Sequence, residues 1–580
     1  MKKIRSKSNF LVWSGLIVAL VLIYGLLNIP GKEGFNPSDD GVVLAQSYRI
    51  LQGEIPHAGF ISIRPVGSAI LHLLNFLSPF PLEWSSRWFV LIEYFLYSLF
   101  LTLSLKNISG LRSSFKEHPF LLPFLTLAVF VLNQNHYNLF PWTTIDALLW
   151  ISIASYGFTL KPDHRLRGVL VVLGSVLAAC SRQTFLLPGV VLAIIWFAGV
   201  CKRRAWHQLL PALVIGLIPV GVYLGVLIRH HAVADFIRQM TGRTELWDTG
   251  VVAFWYRFWH SPLLFFLILW SGRWFRTNLK QPVFGSRWIS RYGDKLLILI
   301  YLLLLWSLAF IIFIHPRQLF RFSYELFYLL FFIWLLTGRD LAAKHRNFNY
   351  WVLWMLLIAW TSALSLGDNA PVFSVGLLFG TGWIMGWILL QEMGFHSWSH
   401  IEKKWFPLSA IALLVISIPV QMSVNYRDLP ASQLRVDAGK IFQGLGNIRT
   451  NTEIGNYLQE IKRLYRKFQS PKGHFVVWPD NALIYALLDS PDPFPLDWMQ
   501  ADEFVGCETR LMHAVETELT HAGLVILVEK YSVKWLSTKR EPLIWEDPEY
   551  PYLQLLKRSS VEIPDQSEFF RVFVTPGLKQ

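Results

Sequence analysis

Residues 10–40 read FLVWSGLIVALVLIYGLLNIPGKEGFNPSDD. The apolar run 10–29 is long enough to cross a bilayer as a helix, which takes about 20 residues. Lys2, Lys3, Arg5 and Lys7 precede it and no small-x-small cleavage site follows it, so it reads as an uncleaved anchor. Ten residues past its end come two adjacent carboxylates, Asp39-Asp40, and then Gly41. Reactive polar groups therefore stand where the lipid-water boundary meets the chain, which points to chemistry on a lipid-borne substrate.

Working outward, the same pattern recurs. Mean hydropathy is +0.39 and 15% of residues are aromatic, which excludes an ordinary soluble domain. Further spans are expected over 84–105, 119–134, 142–160, 168–180, 184–200, 209–228, 262–271, 296–314, 322–337, 350–366, 372–390 and 405–422. With the first, they make about thirteen. None alternates like a barrel strand, so each satisfies its backbone as an α-helix. Those starting at 168, 184 and 262 are short or broken, and a re-entrant pair fits there.

Basic residues orient the array. Lys106/Arg112/Lys116, Lys161/Arg165/Arg167, Lys202/Arg203/Arg204, 273–295, Arg339/Lys344/Arg346 and Lys403/Lys404 fall in alternate loops, the cytoplasmic ones. The N-terminus is then cytoplasmic, while the first loop (30–83) and everything after about residue 423 lie on the extracytoplasmic side. The net charge of +14 reflects this topology and calls for no nucleic acid. Cys180, Cys201 and Cys507 are too scattered for a disulfide framework.

The chain thus divides into a membrane part, 1–424, and a C-terminal part, 425–580. The second has mixed periodicity: 452–468 reads as an amphipathic helix, 474–478 and 524–528 as buried strands, and 482–488 and 511–519 as helices between them. The expectation is a polytopic α-helical membrane protein carrying a small extracytoplasmic α/β domain. Within the first loop, 42–51 and 66–76 read as interfacial helices. The first would put Asp39-Asp40 at its N-terminus, where the helix dipole holds carboxylate pKa values down.

Asp39-Asp40-Gly41, the stretch Ser47-Tyr48-Arg49-Ile50-Leu51-Gln52-Gly53-Glu54-Ile55-Pro56, the step Arg64-Pro65-Val66-Gly67, and Arg87 resemble the GT-C glycosyltransferases that use polyprenyl-phosphate sugars. That group includes protein O-mannosyltransferases and the aminoarabinose transferase of lipid A. Its pattern is an acidic pair in the first outer loop, a Leu-x-Gly-x-x-Pro turn, a basic-Pro-Pro step and an arginine opening the second span. The resemblance extends to Ser181-Arg182-Gln183, at the place of a family Lys/Arg-Gln step, and departs at Asp40, often Glu in relatives, and at Val66 in place of the second proline.

The resemblance implies an integral protein of a plasma or bacterial inner membrane. It implies transfer of a sugar from a polyprenyl-phosphate donor to a hydroxyl of a glycan, lipid or protein acceptor on the extracytoplasmic side. Such transfer needs a base for the acceptor and cations for the departing phosphate. Asp39 matches the family's first acidic position and is assigned as the base. Asp40 is the alternative base, or the ligand of a divalent cation if one is used. Arg64, Arg87, Arg182 and Gln183 are donor-binding candidates, as are Arg317, Arg321 and Tyr324.

Plainer readings stand beside these. Asp39 and Asp40 fit an N-cap and first-turn carboxylate, Arg64 an interfacial anchor, and Arg321 with Glu325 a structural i, i+4 pair. A lipid-linked sugar transporter or flippase, or a non-catalytic assembly subunit of the cell envelope, is also compatible with many spans and polar ends.

Overall fold

The computed structural model describes residues 21, 25, 34–108, 111–118, 121–134, 139–242, 248–263, 287–315, 319–364, 370–392, 412, 415–419, 427–468, 474–521, 523–545, 547 and 550–576. The first expected span apart from two residues, most of the spans at 262 and 405, the basic loop 273–286 and Arg317 lie outside them.

Two short helices open the described chain, α1 (Val42–Leu51) and α2 (Gly67–Phe76). The apolar bundle follows. Its helices are α3 (Leu82–Asn107), α4 (Arg112–Glu117), α5 (Leu121–Gln134), α6 (Thr143–Thr159), α7 (Arg167–Ser181), α8 (Leu186–Arg203), α9 (Leu209–Arg229), α10 (Val233–Thr241), α11 (Phe254–Trp259), α12 (Arg287–Ile314), α13 (Leu319–Ala363) and α14 (Val375–Glu392). The two spans expected at 322 and 350 join in α13, whose helical geometry breaks at His345.

Among the described residues four helical stretches are long and apolar enough to cross a membrane: Leu82–Asn107, Gln183–Arg203, Trp206–Arg229 and Val372–Gln391. Their packing differs. Val372–Gln391 is almost wholly buried, whereas α9 leaves Leu210 70% and Val222 62% exposed. An apolar surface of that extent is stable facing lipid and not water.

The C-terminal region builds a short pair, β1 (Val436–Asp437) with β2 (Arg449–Thr450), and a four-stranded sheet. The sheet holds β3 (His474–Trp478), β4 (Leu524–Glu529), β5 (Val561–Ile563) and β6 (Phe570–Val574) in the order β3-β4-β6-β5. β3 and β4 run parallel with Val476 opposite Ile526, and β6 is antiparallel to both its neighbours. Helices α15 (Thr452–Phe468), α16 (Ile484–Leu488), α17 (Ala501–Phe504), α18 (Glu508–His521) and α19 (Pro551–Ser559) complete it.

Strand alternation decides the layers. Phe475, Val477, Val525 and Leu527 face a core with Leu458, Ile461 and Leu464 of α15. Val476, Trp478, Ile526 and Val528 face a second with Leu511 and Val515 of α18 and Leu553 and Leu556 of α19. The Asn451 side chain caps α15, its Oδ1 accepting from the Ile454 amide at 3.0 Å.

The first loop is part of both cores. Phe35 and Leu44 are fully buried on the α15 side, and Ile61 is buried on the α18 side. Each such side chain stabilises the docking by roughly 1.5–3 kcal/mol. The Ile61 amide donates to the Pro495 carbonyl at 2.7 Å and the Phe35 amide to Asp428 Oδ2 at 3.0 Å.

Candidate functional site

Arg49 of α1 is the clamp between loop and sheet. Its guanidinium is 2% exposed, bonds Asp497 at 2.8 Å, Glu54 at 2.8 Å and the Phe494 carbonyl at 2.5 Å, and has Asp492 at 3.6 Å. Gly53 lets the chain turn back: its φ of +86° suits a residue without Cβ just after a helix end. The Leu51-to-Pro56 turn is thus explained by fold. Beyond it, His57 is buried, with Nδ1 2.6 Å from Gln239 Oε1 and Nε2 2.6 Å from the Tyr223 hydroxyl. Burial lowers its pKa to about 4, so it is neutral at physiological pH.

The acidic pair precedes α1 without capping it. Gly41 is the N-cap residue, and no side chain caps the helix. Asp39 and Asp40 instead diverge. Asp39 makes an ion pair with Arg427, whose guanidinium lies 5.4 Å from the Trp535 ring centroid. Asp40 is sealed beside Arg87, 3.7 Å away, and its Oδ2 accepts from the Asn36 amide at 3.0 Å. Arg87 is itself 0% exposed, bonded to Glu83 at 3.0 Å and to the Gly34 carbonyl at 2.9 Å. The expected lowering of carboxylate pKa is reversed at Asp40. Burial, then the Glu83 charge, push its pKa well up despite Arg87.

Asp480, two residues past the end of β3, is the residue that sequence reasoning missed. It is 2% exposed, accepts from Gln500 Nε2 at 2.6 Å, and feels the charges of Asp39, Lys534 and Arg427. Burial raises its pKa to about 6, against the pull of the Gln500 bond, with Asp39 adding to the rise. An acid with that pKa changes charge near neutral pH, and its charge bears on the neighbouring Asp39. Its only sequence signal is Trp478-Pro479-Asp480-Asn481, a carboxylate directly after a buried strand. Arg427 gave no signal either.

One turn of the C-terminal region reaches from this group to the next. Gln500 holds Asp480, and three residues on Glu503 grips Arg64 through two bonds of 2.7 and 2.8 Å. Arg64 also lies 5.9 Å from the Trp142 ring centroid, just before α6. Arg182 breaks the chain between α7 and α8 in an extended conformation, φ −152° and ψ 124°, and donates to Thr144 Oγ1 and to the Leu364 carbonyl. Gln183 Nε2 donates to the Ile63 carbonyl at 2.9 Å. A Cβ on Gly67 would come within 2.5 Å of the Cys180 carbonyl oxygen, so only glycine lets the Arg64 turn approach the Arg182 turn. The start of α6 therefore gathers Arg64 and Arg182.

Arg321 and Tyr324 lie elsewhere. Tyr324 packs on Phe254, with Arg257 4.7 Å from its ring centroid, and Arg321 is exposed beside Phe322. The expected Arg321–Glu325 pair is not formed among the described residues. Glu325 accepts from Ser261 Oγ at 2.5 Å. Asp40 belongs to no group of three metal-ligating side chains among the described residues. One such group exists, His72 with Glu93 and Asp146. The three cysteines are free thiols.

No protein-family profile and no curated protein matches the chain. Two solved structures are similar to it, both crystal structures of ArnT from Cupriavidus metallidurans. The one bound to undecaprenyl phosphate is 12% identical with a TM-score of 0.40, over 98% of this chain and 99% of that one. The apo one is 12% identical with a TM-score of 0.41, over 97% and 98%. At such values nothing of their chemistry is carried over, and the site is read from this chain's own residues.

Proposed function

We propose that this chain is an integral-membrane glycosyltransferase of the GT-C type. In this reading it moves a sugar from a polyprenyl-phosphate donor to an acceptor hydroxyl on the extracytoplasmic side, with inversion. One observation supports it: the buried carboxylates Asp39 and Asp480 with Arg427 form one group, Arg64 and Arg182 form a second at the start of α6, and the Gln500–Glu503 turn ties the two together. A base and phosphate-binding cations at a bundle end are what transfer from a lipid phosphate requires.

Asp39 takes the acceptor hydroxyl proton as that oxygen attacks the anomeric carbon, and the carbon–phosphate-oxygen bond breaks on the opposite face. Negative charge grows on the leaving phosphate. Arg64 and Arg182 meet it, helped by the positive end of α6. Arg427 fixes Asp39, and Asp480 sets the local charge. Glu503 occupies Arg64 as a phosphate would, so donor binding exchanges one anion for another.

The test is mass spectrometry of products made by the purified chain from a panel of polyprenyl-phosphate sugars and acceptors. Transfer by the wild type and its loss in Asp39→Asn is the expected result. Donor translocation into vesicles without transfer would replace the enzyme with a transporter.

A further inference from the structure

His72 of α2, Glu93 of α3 and Asp146 of α6 meet inside the bundle, each no more than 2% exposed. His72 Nε2 is 3.4 Å from Asp146 Oδ1 and 4.0 Å from Glu93 Oε2, and one ligand atom from each residue lies within 4.8 Å of the others. Among the described residues no N–H group donates to either oxygen of Glu93 or to Asp146 Oδ2, and the two carboxyl groups lie close enough to interact with each other. No lysine or arginine pairs with either carboxylate there. Phe89 closes one side, its ring centroid 5.1 Å from that of His72.

Two carboxylates with empty acceptor positions in an apolar bundle are costly unless positive charge sits between them. With neutral imidazole the group carries two negative charges, which a divalent ion cancels. The closest separation fits: ligands of a tetrahedral ion with bonds of about 2.0–2.1 Å stand roughly 3.4 Å apart, as His72 and Asp146 do, while Glu93, 4.0 Å from His72, closes in on binding. Asn75 supplies the outer contact, its Nδ2 2.8 Å from His72 Nδ1. Turning the amide over, so that its oxygen accepts the Nδ1 proton, leaves the Nε2 lone pair for the ion. One imidazole and two carboxylates in a dry site favour zinc-like ions over magnesium or calcium, which prefer all-oxygen shells of higher coordination number.

We propose that His72, Glu93 and Asp146 bind one divalent transition-metal ion of the zinc class, which staples α2 to α3 and α6. The staple acts on the site indirectly: α2 begins at the Arg64–Gly67 turn, and Thr144, the acceptor for Arg182, is two residues before Asp146. It is independent of the glycosyltransferase reading, and its test reads no activity.

Full-length, tag-free protein is purified in detergent, incubated with zinc chloride, passed over a chelating resin, and assayed for metal by mass spectrometry. The expected result is about one zinc per chain in the wild type and under a tenth of that in His72→Ala and Glu93→Gln. A strong chelator should lower the wild-type Tm by about 5 °C or more, restored by zinc, with no such response in the variants. If a variant does not fold, wild type loaded with cobalt(II) decides: intense visible d–d absorption supports a tetrahedral site. A metal-free wild type, no chelator response, or equal zinc in the variants would overturn the site, leaving a group neutralised by protons.

Discussion

Asp39 and Asp40 are neighbours in sequence and occupy opposite situations. Asp39 faces Arg427, which remains 17% exposed, at a junction of three parts of the chain. Asp40 is shut in with Glu83 and Arg87, both 0% exposed. One carboxylate is held but approachable, while the other is consumed in holding the loop to α3. Both carboxylates are buried, so the partner makes the difference: Arg427 keeps an edge toward solvent, whereas Arg87 keeps none.

The sharpest way to break that contrast is Arg87→Met. Removing the cation leaves Asp40 and Glu83 buried without compensation, and the expected loss is about 3–5 kcal/mol of stability. Thermal unfolding in detergent reads it, and a folded variant with wild-type Tm would free Asp40 for other work. Asp39→Asn should do the reverse. Turnover falls at least a hundredfold, about 2.7 kcal/mol, while Tm falls less than in Arg87→Met because Arg427 keeps access to water. Retained activity would exclude Asp39 as the base.

Arg64 and Glu503 sharpen the comparison on the donor side. Arg64→Gln is expected to lower affinity for free polyprenyl phosphate about thirtyfold, or about 2 kcal/mol. Glu503→Gln should raise it, since the competing anion is gone. If both substitutions weaken binding alike, the pair is an interdomain tie and nothing more.

The smallest effect concerns pH. Asp480 has a folded pKa of about 6 against an ordinary value of 3.8, so the folded state holds its proton more tightly. Its contribution to stability is full below about pH 4 and is lost as pH rises through about 6. If its ionised form assists Asp39, turnover rises over the same window, and Asp480→Asn flattens that limb at a cost of about tenfold. A profile identical in the two proteins would leave Asp480 with a packing role.

Much of the secondary structure was legible. The expected spans at 84–105 and 142–160 fall on α3 and α6, and the expected strands at 474–478 and 524–528 on β3 and β4. Apolar runs and caps are local signals, read from neighbouring residues. The site was legible in part, because a motif shows which side chains lie near the first loop but not what they touch. Arg87 reads like an arginine at a membrane edge, and only its burial beside Asp40 and Glu83 separates it from Arg64.

What the sequence by itself determined is the membrane character of the chain, its helical runs, the strands after residue 470 and the concentration of charged residues in the first loop. These follow from composition and periodicity, which survive without any knowledge of partners. Tertiary structure alone decided that Arg427 and Asp480 stand beside Asp39, that Glu503 holds Arg64, and that His72, Glu93 and Asp146 meet. Each of these brings together residues distant in the chain. Electrostatics and hydrogen bonding act over a few ångströms of space, and only packing sets that distance.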